Sequence, residues 1–401
     1  MSESLLVKSY SIPHTLDLSE FINDYMRLLN DVLNNLWEAI EWKRRGKRLV
    51  PFIKKDKTFR KGIRDKHILK WIYSKHYVDS AIKQAYSMLN SWRKRYLKGR
   101  ANKEKPLLKR KFVRVKETLY SYRDGKIRIS KRANEEYIEF NLTKAWFWER
   151  INQLDIGELI LKENQLIITV RKKQTPRIER PVAWDTNLFS LDGYDGENDV
   201  QVDLRKLHTI HRVYELKRKR IQELPEKSKK KLFHKYRCKE KNRVNDLLHK
   251  MSKRLASRTN IFEDLSNFKE RVARTKSKRM NRQNSKHNYI MLQKYTEYKS
   301  AWNGYSTIYV KPYNTSKTCS RCGFVNKDLK GAEIFECPNC GFTIDRQKNA
   351  ARNIWNQFLR MWGQGFAPKG AKPNEKLPMN PEGDEGDEAQ GLSVGSIRIN
   401  T

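Results

Sequence analysis

Residues 319–354 run Cys319-Ser-Arg-Cys322-Gly323-Phe, then Phe335-Glu-Cys337-Pro-Asn-Cys340-Gly341-Phe, then Thr343-Ile-Asp345-Arg-Gln347-Lys-Asn349-Ala350-Ala351-Arg-Asn353-Ile354. Two Cys-x-x-Cys pairs stand fourteen residues apart (323–336), close to the zinc-ribbon spacing. Each pair suits a tight turn eased by Gly323 or Gly341, which aims two thiolates at one point. Four thiolates close a tetrahedral Zn²⁺ site and leave no position open for a reactant, so the expected metal is structural. Two disulfides are the competing assignment. A long chain that opens Met1-Ser-Glu-Ser, without the shape of a secretory signal, does not fit an oxidised scaffold. The fifth cysteine, Cys238, is expected to be an ordinary free thiol. Asp345 precedes a helical pattern with small Ala350 and Ala351, where a carboxylate is often an N-cap.

Outward from this stretch, the composition narrows the partners. The 401 residues carry 85 Lys and Arg against 46 Asp and Glu, a formal charge of +39. So large an excess draws polyanions, and nucleic acid is the commonest. An anionic membrane is the runner-up, but no apolar run approaches the ~20 residues of a span. The chain is expected to be soluble and cytoplasmic, in contact with the nucleoid, with no membrane and no small-molecule substrate. Ten Trp and eighteen Tyr offer stacking platforms for bases, although most are expected in cores.

The preceding chain alternates between two patterns. Leu5–Ile12 predicts a strand ended by Pro13. Asp17-Leu-Ser-Glu20 resembles a capping box, and Phe21, Tyr25, Leu29, Val32, Leu36 and Ile40 follow at helical spacing. A basic loop is expected over Lys43–Arg64. Val78, Ile82, Ala85, Leu89, Trp92 and Tyr96 mark a second helix. After Pro106 the pattern becomes β: Thr118–Arg123 and Lys126–Ser130 flank Asp124-Gly125, a strong hairpin signal. Tyr137–Phe140 is another short strand, and Leu159–Lys162 pairs with Leu166–Lys173. Short antiparallel strands of this kind are consistent with a small barrel. Pro181–Tyr194 reads as strand, turn and strand, with Asp185 delivered at the end of an apolar run. A helical basic region spans Leu204–Ser257. Thr259–Leu265 is a strand carrying Glu263. Arg271–His287 is a basic segment suited to a flexible loop. Tyr289–Trp302 is a helix, and Tyr305–Val310 a strand. The tail from Gly363 is acidic, rich in Gly and Pro, and is expected to be disordered.

Several of these words together resemble the transposon-encoded TnpB (OrfB) family, which is similar to the type V CRISPR effector nucleases. They are Val310-Lys-Pro312, Thr315-Ser316 before the first Cys pair, Asp345-Arg-x-x-Asn349-Ala350-Ala351-x-Asn353-Ile354, and Glu263-Asp264-Leu265 at a strand end. The resemblance implies an α+β multidomain fold. Its parts would be a small antiparallel β-barrel (1–15 and 104–176), an inserted helical recognition lobe (16–103), an RNase H-like (RuvC) α/β domain (177–362) carrying the zinc ribbon at 313–343, and a disordered acidic tail (363–401). It implies a guide RNA and a target DNA as partners. It also implies two catalytic Mg²⁺ ions held by Asp185, Glu263 and Asp345: Asp185 bridging, Glu263 near the nucleophilic water or leaving group, Asp345 completing the site. Hydrolysis of a phosphodiester suits such a set, because Mg²⁺ prefers oxygen ligands and two ions can serve both the attacking and leaving oxygens.

The sequence departs from the family pattern at two places. Asn187 stands where the family has Gly, and Gln347 where its third motif commonly has a second Asp. If Asp345 takes the ligand role, three carboxylates remain; if it only caps the helix, the site is one charge short. An RNA-guided DNA endonuclease linked to transposition is the leading expectation. The alternatives are a nuclease-dead, guide-directed repressor on the same scaffold and a protein-only strand-transfer transposase.

Overall fold

The chain divides into two units in the computed structural model, Leu5–Lys172 and the described remainder. The structure describes residues 4–46, 48–265, 288–329, 332–363 and 398–399. The first unit contains β1 (Ser4–Pro13), α1 (Ser19–Glu38), β2 (Glu41–Arg45), β3 (Arg48–Phe52), α2 (Lys57–Ile68), α3 (His76–Leu97), β4 (Val113–Val115), β5 (Tyr120–Arg123), β6 (Lys126–Arg132), β7 (Glu136–Asn141), α4 (Trp148–Ile151), β8 (Asp155–Leu161) and β9 (Gln165–Gln174). The apolar stripes expected on α1 and α3 are buried, including Phe21, Tyr25, Leu29 and Val32 on one and Val78, Ala85, Leu89 and Trp92 on the other. Tyr25 meets its burial by donating to Gln84 Oε1 at 3.0 Å. The expected capping box does not form: Asp17 Oδ1 instead accepts from the N–H and hydroxyl of Ser19.

Lys43–Arg64, expected as a loop, is structured. β2 and β3 form a hairpin, turned at Gly46 with φ +56°, and Asp56 caps α2 by accepting from Phe59 N at 2.7 Å. Long basic side chains hid the hairpin because they lie along aromatic faces, with Lys43 and Arg45 over Phe52. Asp124 and Gly125, both at positive φ, make the β5–β6 turn as expected.

The expected barrel is corrected. Its strands form two separate open sheets, β1-β9-β8-β4 and β5-β6-β7. β4 has only three residues, and the 3₁₀ turn Glu117–Leu119 interrupts the chain between the sheets, so among the described residues no ladder closes them.

The second unit is a mixed α/β layer structure. It contains β10 (Val182–Thr186), β11 (Ser190–Tyr194), β12 (Asp199–Asp203), α5 (Arg205–Ile221), α6 (Glu226–Leu255), β13 (Asn260–Glu263), α7 (Tyr289–Trp302), β14 (Thr307–Val310), β15 (Ile334–Glu336), β16 (Thr343–Asp345), α8 (Arg346–Gly363) and β17 (Arg398–Ile399). The main sheet has the order β14-β13-β10-β11-β12-β17. β10, β11 and β12 form an antiparallel meander, while β13 runs parallel to both β10 and β14. The helical region expected as one stretch breaks at Pro225 into α5 and α6.

Period-two alternation sends β10 to two cores. Val182 and Trp184 pack with Leu248, Met251 and Leu292 of α6 and α7. Ala183 packs with Ile261, Ile308, Ile354 and Phe358 on the α8 side. The basic segment Arg271–His287 lies outside the described residues. So does the tail, apart from Gly363 at the end of α8 and Arg398–Ile399, which pair in parallel with β12.

Candidate functional site

The alternation that buries Trp184 on one face turns Asp185 to the other, the face covered by α8. In the parallel pairing of β10 with β13, Trp184 stands against Phe262, so the next pair along is Asp185 and Glu263. On the opposite side Asp185 is the direct antiparallel partner of Asp192. Three neighbouring strands therefore carry Glu263, Asp185 and Asp192 at one level, and side chains directly opposite share a face. Asn187 Nδ2 bridges two of them, donating to Asp185 Oδ2 at 2.8 Å and Asp192 Oδ2 at 3.1 Å. Thr315 Oγ1 donates to Glu263 Oε1 at 2.6 Å. Burial, then the nearby Glu263, push the Asp185 carboxyl up to about 7; Asn187 opposes this, Asp192 adds to it, and Arg346 opposes it.

That shift has a signed consequence for the metal-free protein. Between the ordinary aspartate value of 3.8 and about 7, the native state keeps a proton that the unfolded chain has lost. Stability from this group is therefore lost as pH rises across the window. The urea midpoint should drop more between pH 5 and pH 8 in the natural chain than in Asp185→Asn. Equal drops would show that Asp185 ionises normally.

Asp345 sits apart from this row in its bonding. It is exposed at the end of β16, and its Oδ1 accepts from Gln347 N at 2.8 Å and Lys348 N at 3.1 Å. That is the N-cap geometry, which satisfies the free N–H groups of the first turn of α8. Gln347, two residues on, reaches toward the sheet, with its Oε1 3.2 Å from Ser190 Oγ. Ser190 Oγ in turn donates to Asp192 Oδ2 at 2.5 Å. No motif in the sequence marks Asp192. A two-residue loop, Leu188-Phe189, fixes a hairpin register in which 185 faces 192.

The four cysteine sulfurs lie within 4.8 Å of one another. Cys319 Sγ is 3.8 Å from Cys340 Sγ, and Cys322 Sγ is 3.6 Å from Cys337 Sγ. Tetrahedral zinc–thiolate bonds of about 2.3 Å set sulfurs roughly 3.8 Å apart, so the donor set fits Zn²⁺. Convergence of all four on one point is the metal arrangement and not two bridges. Gly323 N donates to Cys319 O and Gly341 N to Cys337 O, both at 2.9 Å. Both glycines adopt positive φ, +78° and +64°, as their turns require. The N–H of Phe324, then the Asn339 amide, lower the Cys322 thiol, while burial raises Cys319 and, against the N–H of Phe342, burial and the neighbouring thiols raise Cys340, so in the metal-free cluster the first negative charge settles on Cys322. Phe335, Leu329, Phe342 and Ile344 pack around Cys319 and Cys337.

Two asparagines tie this ribbon to α8. Asn353 Nδ2 donates to the carbonyls of Thr315 and Thr318 at 2.8 and 2.6 Å. Asn349 donates to Thr318 O at 2.7 Å and accepts from Ser320 N at 2.9 Å. Ala350 and Ala351 are buried beside them, small enough to let the helix approach the sheet.

A mixed α/β chain of this layout, with a four-cysteine cluster docked on α8, is similar in fold to the Cas12 effectors. It aligns with the cryo-EM structure of the Cas12f1-sgRNA-target DNA complex at a TM-score of 0.54 and 14% identity, covering 84% of this chain and 81% of that one. The "Cas12f1-like, TNB domain" family matches residues 289–354, and the "Uncharacterized protein MJ0013 family" matches residues 21–130. TnpB-like protein MJ1635 of Methanocaldococcus jannaschii is 32% identical over 94% of this chain and 92% of its own length. TnpB-like protein MJ0751 of the same organism is 33% identical over 60% of this chain and 93% of its own. The chain belongs to the TnpB-like family.

Proposed function

We propose that this protein is an RNA-guided DNA endonuclease of the RuvC type, linked to the movement of a transposon. The observation that carries the proposal is the alignment of Asp185 and Glu263 on adjacent strands at one level of a mixed sheet. An antiparallel meander followed by parallel strands suits an RNase H-like domain. The donors on this face are carboxylate oxygens; burial first, and the neighbouring Glu263 second, raise the Asp185 carboxyl, and a bound cation would relieve both. Such a set fits Mg²⁺, which takes hard oxygen ligands.

Two Mg²⁺ ions, when bound by Asp185 and Glu263, supply the means to activate water and neutralise charge on a phosphodiester. The chain's own side chains prepare that place. Asn187 fixes the Asp185 carboxylate by its amide bridge, and Thr315 fixes the rotamer of Glu263. Arg346, whose charge acts on Asp185, would suit an approaching phosphate.

Sequencing of RNA that copurifies with the protein identifies the guide. Cleavage of a matched DNA target with that guide and Mg²⁺ tests the enzyme. A supplied guide and target that give no cut would favour the repressor alternative, whose supporting observation is the neutral Gln347 beside the site. Guide affinity should also be dominated by phosphate contacts, given the charge of +39. Raising salt from roughly 50 to 200 mM should weaken RNA binding by about 10³-fold or more. A flat salt response would remove the backbone-dominated interface.

A further inference from the structure

Asp192 is among the most deeply buried charged side chains described, 3 % exposed. Its oxygens accept from Asn187 Nδ2 at 3.1 Å, Ser190 Oγ at 2.5 Å and Gln201 Nε2 at 2.6 Å. Each of these donors is neutral. Among the described residues no cation pairs with Asp192; a buried carboxylate so placed is costly, and three neutral hydrogen bonds offset only part of that cost. A Leu or Asn at this sheet position would carry no such penalty. Asp192 also shares the Asn187 amide with Asp185, its direct cross-strand partner. The first turn of α8 reaches the same place through Ser190 but brings no carboxylate: the contact is the neutral Gln347, and the charge that helix adds near Asp185 is the cation Arg346. Asp345, which ends β16 just before that helix, is exposed and committed to its cap.

We propose that Asp192 is the third carboxylate of the divalent-metal centre, delivered from β11 in the place that α8 leaves uncharged. This rests on the nuclease proposal above. Glu263, Asp185 and Asp192 then form a row across β13, β10 and β11, and the centre keeps three negative charges without any from α8. Gln201 and Ser190 act as the supports that aim Asp192, as hydrogen-bonded partners of metal-binding carboxylates do.

The test uses the full chain and Mn²⁺ alone as the probe, with binding followed by electron paramagnetic resonance. Asp192→Asn should weaken Mn²⁺ binding at least tenfold, and adding Gln347→Asp to it should restore binding to within about threefold. A purely structural Asp192 predicts no rescue, because a carboxylate on α8 would not repair the strand. Asp192→Asn binding like the natural chain, or a double variant as weak as the single one, would overturn the proposal. Gln347→Asp by itself gives an answer that does not depend on the folding of Asp192→Asn. With the third place already filled, the extra carboxylate should change Mn²⁺ affinity by less than about threefold, whereas a gain of tenfold or more would show that place to be empty. A natural chain that binds no Mn²⁺ overturns both this proposal and the nuclease reading. Mn²⁺ binding unchanged in Asp192→Asn overturns this one alone.

Discussion

Asp185→Ala will reduce Mg²⁺-dependent cleavage of a matched target by roughly 10³-fold or more, while guide RNA binding stays within about twofold of the natural chain. A loss of that size corresponds to about 4 kcal/mol of transition-state stabilisation. Asp185 is the central member of its row, flanked by Glu263 on one strand and Asp192 on the other. Its replacement removes the group that both neighbours repel and that a cation would most relieve. The comparison variant is Asp345→Ala. Its carboxylate makes two cap bonds to Gln347 and Lys348 and stands exposed. Losing it should cost about 1 kcal/mol of stability, the usual worth of an N-cap, and leave cleavage within about threefold. Cleavage lost in Asp345→Ala and retained in Asp185→Ala would reverse the assignment. Single-turnover cleavage and filter binding on the same preparations measure both quantities.

How far the site was legible depended on whether neighbours in space were also marked in the chain. The cysteines were legible because the Cys-x-x-Cys turn is local, and each Gly after it reports a positive φ. Glu263 and Asp185 stand out in the sequence through the family words around them, and the structure sets both at one level on adjacent strands. Asp192 was not legible, although it is seven residues from Asp185. Its Ser-Leu-Asp-Gly-Tyr context reads as one more alternating strand, and only the length of the Leu188-Phe189 loop sets its partner. In sequence Asn187 is a substitute for glycine in a turn. In the structure its value is the amide that two carboxylates share. Asp345 was ambiguous for a physical reason: a carboxylate before a helix can turn inward to a site or inward to the helix, and local sequence is the same in both cases. The barrel failed for a related reason. Strand lengths and turns are local, but closure depends on which strand edges meet, and the 3₁₀ turn at Glu117–Leu119 separates the edges here.

Removing zinc should have the other large effect, and it should reach beyond the ribbon. The purified protein is expected to hold about one Zn²⁺ per chain, and Cys337→Ser to hold almost none. Three remaining thiolates do not close the site, and for small zinc modules binding free energies of about 10–16 kcal/mol are folding free energy. The ribbon has little else to hold it: its core is Phe335 and the two buried cysteines, with Leu329, Phe342 and Ile344 around them. Its first knuckle is also the support on which Asn349 and Asn353 of α8 rest, through Thr315 O, Thr318 O and Ser320 N. The same Thr315 holds Glu263 by its hydroxyl at 2.6 Å. Loss of the metal therefore frees a chain of contacts that ends on a carboxylate of the proposed centre. Cys337→Ser should lower cleavage at least tenfold even though no cysteine lies among the carboxylates, since supports of a metal-binding group are commonly worth about 10–100-fold. Hydrogen exchange should accelerate at Gly323, Gly341 and the start of α8, and leave β10 and β13 protected. Zinc-free protein with an unchanged melting curve and unchanged exchange would show the four thiols to be stable without a metal. Exchange confined to the ribbon, with full cleavage, would show that Thr315 holds Glu263 without its help.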